Sequence, residues 1–144
     1  MQKRVYVDMD GVLVDYDSAK KKALSINPFV KFPQSQAGFF TGMEPMPGAI
    51  KGINAIAKHY DTWILTRPSI KNPLCYTEKR IWVENHLGME WTKRLIISPS
   101  KDLLMGDYLI DDQPWPNFQG KQLRFGRGEC PNWDAVIKEL GVAW

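Results

Sequence analysis

Val5-Tyr6-Val7-Asp8-Met9-Asp10-Gly11-Val12-Leu13 is the stretch that decides how this chain folds. Its first residues are β-branched or aromatic, and they run into two carboxylates and a glycine. Strand side chains repeat every two residues, so Asp8 and Asp10 point the same way at the end of a strand over Val5–Asp8. Gly11 then lets the chain turn sharply away. One other reading stays open here, because Asp-Gly between two valine-rich runs is also a hairpin signal.

Working outward, further short apolar runs predict strands at Trp63–Thr66, Leu95–Ser98, Leu109–Asp111 and Gln122–Phe125. Their apolar content is near-continuous rather than alternating, as in strands covered on both faces. Helical patterns lie between them. Pro47 and Gly48 open a helix that closes near His59, with Ile50, Ile53 and Ala57 on one face. A second helix follows Pro73, with Tyr76, Val83 and Leu87 as its stripe and Gly88 as its stop. Asn132 caps a last helix that turns Val136, Ile137 and Leu140 inward. Strand and helix in alternation predict an α/β fold, a Rossmann-like parallel sheet with helices on both faces. In such sheets function gathers at the carboxyl ends of the strands.

The bulk properties suit this. At 144 residues the chain is the size of one domain, read here as 1–144. The net charge of +3 comes from dispersed lysines and arginines, so it does not by itself imply nucleic acid, and no stable nucleic-acid partner is expected. Cys75 and Cys130 lack metal or redox spacing and read as free thiols of a reducing compartment. No apolar run approaches a membrane span and no signal segment is evident, so the expected location is cytoplasmic. Nothing in the sequence fixes an oligomeric state.

Tyr108-Leu109-Ile110 also ends in carboxylates, Asp111 and Asp112. If that strand neighbours the first, four carboxylates converge, which is unfavourable without a cation among them. An all-oxygen set selects a hard ion such as Mg²⁺. Singly, each pair reads as a turn; together, following apolar strands, they point to a site. Thr66 and the backbone after it, at Arg67, offer a phosphoryl clamp. Lys79 borders the inward face of its helix, where it either neutralises the carboxylates or snorkels outward. Lys101, in Ser-Pro-Ser-Lys-Asp, has the same ambiguity, with the solvated reading ahead on sequence alone.

Asp8-Met9-Asp10-Gly11-Val12, Thr66, Lys79 and Asp111-Asp112 together resemble the four signature motifs of the haloacid dehalogenase-like phosphatases. Gly38-Phe39-Phe40, Glu44-Pro45-Met46-Pro47-Gly48-Ala49, Glu78-Lys79 with Trp82-Val83-Glu84, and Gly106-Asp107 with Leu109-Ile110-Asp111-Asp112 narrow the resemblance to the 5′(3′)-deoxyribonucleotidases. The resemblance implies a haloacid dehalogenase-like core with a small helical cap inserted after the first strand, at about 17–43. It implies a Mg²⁺-dependent phosphomonoester hydrolase acting on nucleoside monophosphates through an aspartyl-phosphate. Asp8 would be the nucleophile and Asp10 the general acid and base. Thr66 would bind the phosphoryl group. Lys79 would be the third-motif lysine, holding the phosphoryl group and Asp8, with Lys101 a further substrate-phosphate contact. Asp112 would ligate the metal with the Asp8 side chain and the Asp10 main-chain carbonyl, Asp111 supporting, and Tyr16 would lie beside the substrate.

Two departures fall on the substrate side. The cap is much shorter than in the animal enzymes, and Arg67 stands where those have serine. The cap is expected to hold one helix, about Ser18–Ser25, followed by Phe29, Phe32, Phe39 and Phe40, the last two either touching substrate or anchoring the cap. A sugar-phosphate or nucleic-acid 3′-end phosphatase on the same scaffold is the nearest alternative, and a non-catalytic binding module the remote one.

Overall fold

A computed structural model describes residues 1–144. Five strands, β1 (Arg4–Val7), β2 (Asp61–Thr66), β3 (Leu95–Ile97), β4 (Tyr108–Asp111) and β5 (Lys121–Arg124), form one sheet in the order β3-β2-β1-β4-β5. Every pairing is parallel. The hairpin reading of Asp10-Gly11 therefore fails: β1 pairs with the sequence-distant β2 and β4, bringing Val7 opposite Ile64 and Ile110. From β1 the chain builds outward to β2 and β3, then crosses to β4 and β5. The order reverses between β1 and β4, and ligands of open α/β sheets bind outside the strand ends at such a point.

The helices are α1 (Tyr16–Ile26), α2 (Ala49–Ala57), α3 (Cys75–Leu87), α4 (Met89–Thr92) and α5 (Trp133–Glu139). The two faces of the sheet are covered unequally. Val5, Val7, Ile64, Ile110 and Leu123 belong to a large cluster with residues of α2, α3 and α5. On the opposite face Tyr6, Leu65 and Leu109 meet Phe118, flanked by Leu104 and Trp115 from connecting segments. The regular helices that were expected on both faces thus concentrate in the large cluster. Side chains of β1 alternate between the clusters, as a strand buried on both faces requires.

Local signals explain most boundaries. Asn132 accepts from Ala135 N–H at 3.0 Å and caps α5. Gly88, at φ +98°, ends α3 and donates to the carbonyls of Val83 and Glu84. α2 and α5 pack closely because Gly52 has no side chain: a Cβ there would strike the Trp133 ring. Trp133 in turn donates its indole N–H to the Val12 carbonyl at 2.8 Å, which ties α5 to the turn that carries the first carboxylates.

α3 departs from its expected stripe. Its buried residues are Cys75, Glu78, Lys79, Trp82 and Val83, whereas Tyr76 is exposed. The inward face holds a Glu-Lys pair, so apolar spacing alone misplaces it.

Between β1 and α2 the chain makes an excursion through α1 and a 3₁₀ turn at Pro33–Ser35. α1 begins two residues before the expected Ser18, because Asp15 caps it by accepting from Ser18 N–H at 3.1 Å. The excursion leaves and returns through a stitched neck. Asp15 N–H donates to the Glu44 carbonyl and Met46 N–H to the Leu13 carbonyl, both at 2.8 Å.

Candidate active site

The turn after β1 is organised on one acceptor. Val12, Leu13 and Val14 N–H groups all reach the Met9 carbonyl, at 2.9–3.1 Å. Gly11 takes φ +85°, and a Cβ there would collide with the Asp112 carboxylate, so the residue is glycine for conformation and for space together. Asp8 N–H donates to the Ile110 carbonyl at 2.9 Å, extending the β1–β4 register by one step and placing Asp8 beside Asp111 and Asp112.

Carboxylate oxygens of Asp8, Asp111 and Asp112 lie within 4.8 Å of one another. Lys101 stands between two of them, 2.7 Å from Asp8 Oδ1 and 2.6 Å from Asp111 Oδ2. It is 2% exposed, so the solvated reading of Lys101 is overturned. Burial alone would lower its pKa, but Asp8 and Asp111 outweigh burial and raise it, so the ammonium is kept. Burial pushes Asp8 up to about 6, with Lys101 opposing and the charges of Asp10 and Asp112 adding to the rise. Burial and the charge of Asp8 likewise bring Asp111 to about 6, and burial raises Asp112. One ammonium thus leaves this trio short of positive charge. The donors are all oxygen and close together, a set that fits a hard divalent cation. Asp111 spends its other oxygen on Gln113 N–H at 3.0 Å, which leaves Asp8 and Asp112 the freer ligands. Arg124 steadies the Asp112 backbone by donating to its carbonyl at 3.2 Å.

Across the floor, Lys79 donates to Thr66 Oγ1 at 2.6 Å, to the Arg67 carbonyl at 2.7 Å and to Asp10 Oδ2 at 3.2 Å. Its side chain is fully buried, with the Phe40 ring centroid 5.1 Å from Nζ. The lysine that reaches Asp8 is therefore Lys101, which was expected to contact the substrate phosphate, whereas Lys79, expected at Asp8, reaches Asp10 and Thr66. The reason lies in topology: Lys101 opens a 3₁₀ turn at Lys101–Leu103 just past β3, a placement that spacing along the chain does not reveal. The remaining oxygen of Asp10, Oδ1, is buried without a hydrogen-bond partner.

A cleft of ≈ 680 Å³ has Asp8, Asp10, Lys101, Asp111 and Asp112 on its floor and Tyr16, Phe32, Gln34 and Phe40 from the excursion on its wall, while Lys79 and Thr66 lie outside its lining and reach it through Asp10. Arg67 and Lys71 complete the rim, both exposed. Burial, with the charges of Asp10 and Asp17, raises the Tyr16 phenol to about 12, so it stays neutral. Phe39 stacks edge-on against Tyr16 and Phe40 at 5.6 and 5.0 Å. Both Phe39 and Phe40 pack on the large cluster, and Phe40 also lines the cleft. Sequence reasoning missed Gln34, Lys71 and Trp115, which line the cleft. They sit in segments with no periodicity, and no pattern singles them out.

Known proteins resemble this chain along most of its length. Residues 25–130 match the family described as 5′ nucleotidase, deoxy (Pyrimidine), cytosolic type C. A protein of Vibrio phage KVP40 assigned as a 5′(3′)-deoxyribonucleotidase is 41% identical over 142 residues, covering 94% of this chain and 83% of its own. The human cytosolic-type 5′(3′)-deoxyribonucleotidase is 30% identical over 165 residues, covering 93% and 78%. A protein of Bordetella bronchiseptica with the same assignment is 33% identical, covering 76% and 74%. With this extent of similarity, and the family's motif carboxylates gathered at the β1–β4 switch point, the chain belongs to the 5′(3′)-deoxyribonucleotidase family.

Proposed function

We propose that this nucleotidase, a phosphoric monoester hydrolase, removes phosphate from deoxyribonucleoside 5′- and 3′-monophosphates through a covalent intermediate on Asp8. The observation that carries the reading is the pairing of a buried carboxylate with a buried lysine at the floor of an open cleft, next to a second lysine bound to Thr66. An Asp8 oxygen bonds to phosphorus as the bond to the ester oxygen breaks. Asp10, protonated, gives its proton to the leaving alkoxide. As a carboxylate it then takes a proton from water, whose oxygen bonds to phosphorus and frees Asp8. Asp10 suits this because one oxygen is uncommitted and the other is held by Lys79.

Lys79, bonded to Asp10 and Thr66, would offset charge on the transferring oxygens from behind the floor, and Lys101 would hold Asp8 in line while compensating its charge. The side chains of Asp8 and Asp112 and the Asp10 carbonyl would hold Mg²⁺, Asp111 supporting, and the ion would offset the charge of the phosphate dianion. No helix is long and apolar enough to cross a membrane, and the human relative is of the cytosolic type, which favours a cytoplasmic enzyme.

The excursion between β1 and α2 acts as a small cap, about 17–43. Aromatic groups there can stack on any base, and few polar groups are available to reject one. Base preferences are expected to stay within roughly tenfold, about 1.4 kcal/mol. The test is kcat/KM for dUMP, dTMP, dGMP, dAMP, their ribose and 3′-phosphate counterparts, and sugar phosphates, each with and without Mg²⁺. Turnover of a sugar phosphate with none of any nucleotide would replace the substrate assignment. A thousandfold preference for one base would show that the cap reads bases after all.

A further inference from the structure

Glu78 is a carboxylate only 6% exposed that takes part in none of the molecule's ion pairs. Its two oxygens are taken instead by backbone amides of the cap: Gly38 N–H at 3.0 Å and Phe40 N–H at 3.1 Å. Charge-assisted bonds of this kind are about twice as strong as neutral ones and fix geometry. The next residue of α3 is Lys79, all three of whose N–H groups are spent on Asp10, Thr66 and the Arg67 carbonyl. The ring of Phe40, the same residue whose amide Glu78 holds, lies over that ammonium with its centroid 5.1 Å from Nζ. Consecutive residues of one helix turn thus grip the cap and the phosphoryl site.

We propose that Glu78 is a positioning residue: it clamps the Gly38–Phe40 segment so that Phe40 seals Lys79 from water and keeps its charge aimed at the phosphoryl group. In a water-excluded site a fixed ammonium acts far more strongly than a hydrated one, so the clamp bears on the rate of the chemical step. The inference rests on the role given to Lys79 under the proposed function.

The test uses dUMP and p-nitrophenyl phosphate as substrates for Glu78→Gln, Phe40→Leu and the double variant, at a temperature where thermal melting shows each folded. Glutamine keeps the volume but sets an NH₂ against one of the two amides. The expected result is a roughly tenfold fall in kcat for Glu78→Gln on both substrates, with KM within about twofold, a split that loss of transition-state contact produces. The double variant should fall short of the product of the single losses by at least about threefold, because both act through one ring. Gly38→Ala is the second approach, should Glu78→Gln fail to fold. Its φ of +84° strains any side chain while nothing lies within 4 Å of the added Cβ, so it disturbs the clamp without touching Glu78. It should give the same split. A lowered melting temperature with unchanged kcat, a change confined to KM for dUMP, or strictly additive losses would each overturn the proposal. Lys79→Met separates the two levels of the argument. If it is inactive while Glu78→Gln is unimpaired, only the clamp is wrong; if it keeps full activity, the role of Lys79 falls first.

Discussion

The floor of the cleft and the cap above it are built on opposite terms. At the floor and in the groups bonded to it, Asp8, Thr66, Lys79, Lys101 and Asp111 are each at most 5% exposed, and every one has a charged or hydroxyl partner. In the cap, α1 contains no buried residue, Ile26 is 77% exposed and Phe29 94%. Ionisable groups are placed where water is excluded, whereas Ile26 and Phe29 lie where water is plentiful and only a few cap side chains, Phe40 among them, are buried. The difference teaches that stability and chemistry are shared in the floor, whereas the cap is held at a few points and is otherwise free to vary. The expected consequences run from the floor outward.

The largest effect is expected at Asp8. Asp8→Asn should cost roughly a thousandfold or more in kcat while the chain stays folded, since it removes the proposed nucleophile. Retention of more than a few per cent of turnover on dUMP would take the covalent step out of the mechanism.

The two buried lysines should part company next. Removing either is expected to lower kcat by roughly 10²–10³-fold. Their stability effects differ, because Lys101→Met strands two deeply buried carboxylates whereas Lys79→Met strands Asp10, whose side chain is 27% exposed. Lys101→Met should destabilise by about 3–5 kcal/mol. Urea denaturation of both variants decides the matter, and equal losses would erase the distinction.

Metal and pH probe the same crowding of carboxylates. EDTA should abolish turnover and Mg²⁺ restore it better than Ca²⁺. In the metal-free protein, burial keeps Asp8 and Asp111 protonated up to about 6, while the unfolded chain gives up those protons near the ordinary carboxylate value of about 4. The folded state binds more protons in that window, so this contribution is full below pH 4 and is lost as pH rises through about 6. Asp8→Asn should flatten its share of the decline, and Mg²⁺ should raise the melting temperature more at pH 7 than at pH 5. Melting curves of wild type and variant across this range provide the check.

The smallest effect belongs to the exposed cap. Phe29→Ser should change stability by less than about 0.5 kcal/mol and leave kcat/KM on dUMP within about twofold. A large loss there would mean that the cap is read by substrate across its outer surface and would close the gap between the two regions.

The parallel sheet was legible in the sequence because its strands are short apolar runs bounded by Gly, Pro and Asp, and Asp8 and Asp112 stood out because carboxylates followed two such runs. What stayed hidden shares one cause. Tyr76 was expected inward and is exposed, since α3 turns Glu78 and Lys79 inward instead. Their partners come from the cap and the first carboxylate turn, 38 to 69 residues away along the chain, and from the end of β2. The carboxylate partner expected for Lys79, Asp8, belongs to Lys101 for the same reason: residue type marks a candidate site lysine, but only the fold decides which carboxylate it meets. α4, of four residues, and the 3₁₀ turns are too short for any periodicity to register.

The neck at which the cap departs has an evolutionary corollary. Residues 13–15 and 44–46 are hydrogen-bonded to each other through backbone groups alone, and they rejoin the core beside the turn that carries Asp8 and Asp10. Closing such a loop costs only about 0.6 kcal/mol more for each doubling of its length. Lineages can therefore exchange the outer part of the cap at this junction, as a cassette, so long as the Gly38–Phe40 segment held by Glu78 is kept. A designer seeking a new substrate range has the same seam to cut along.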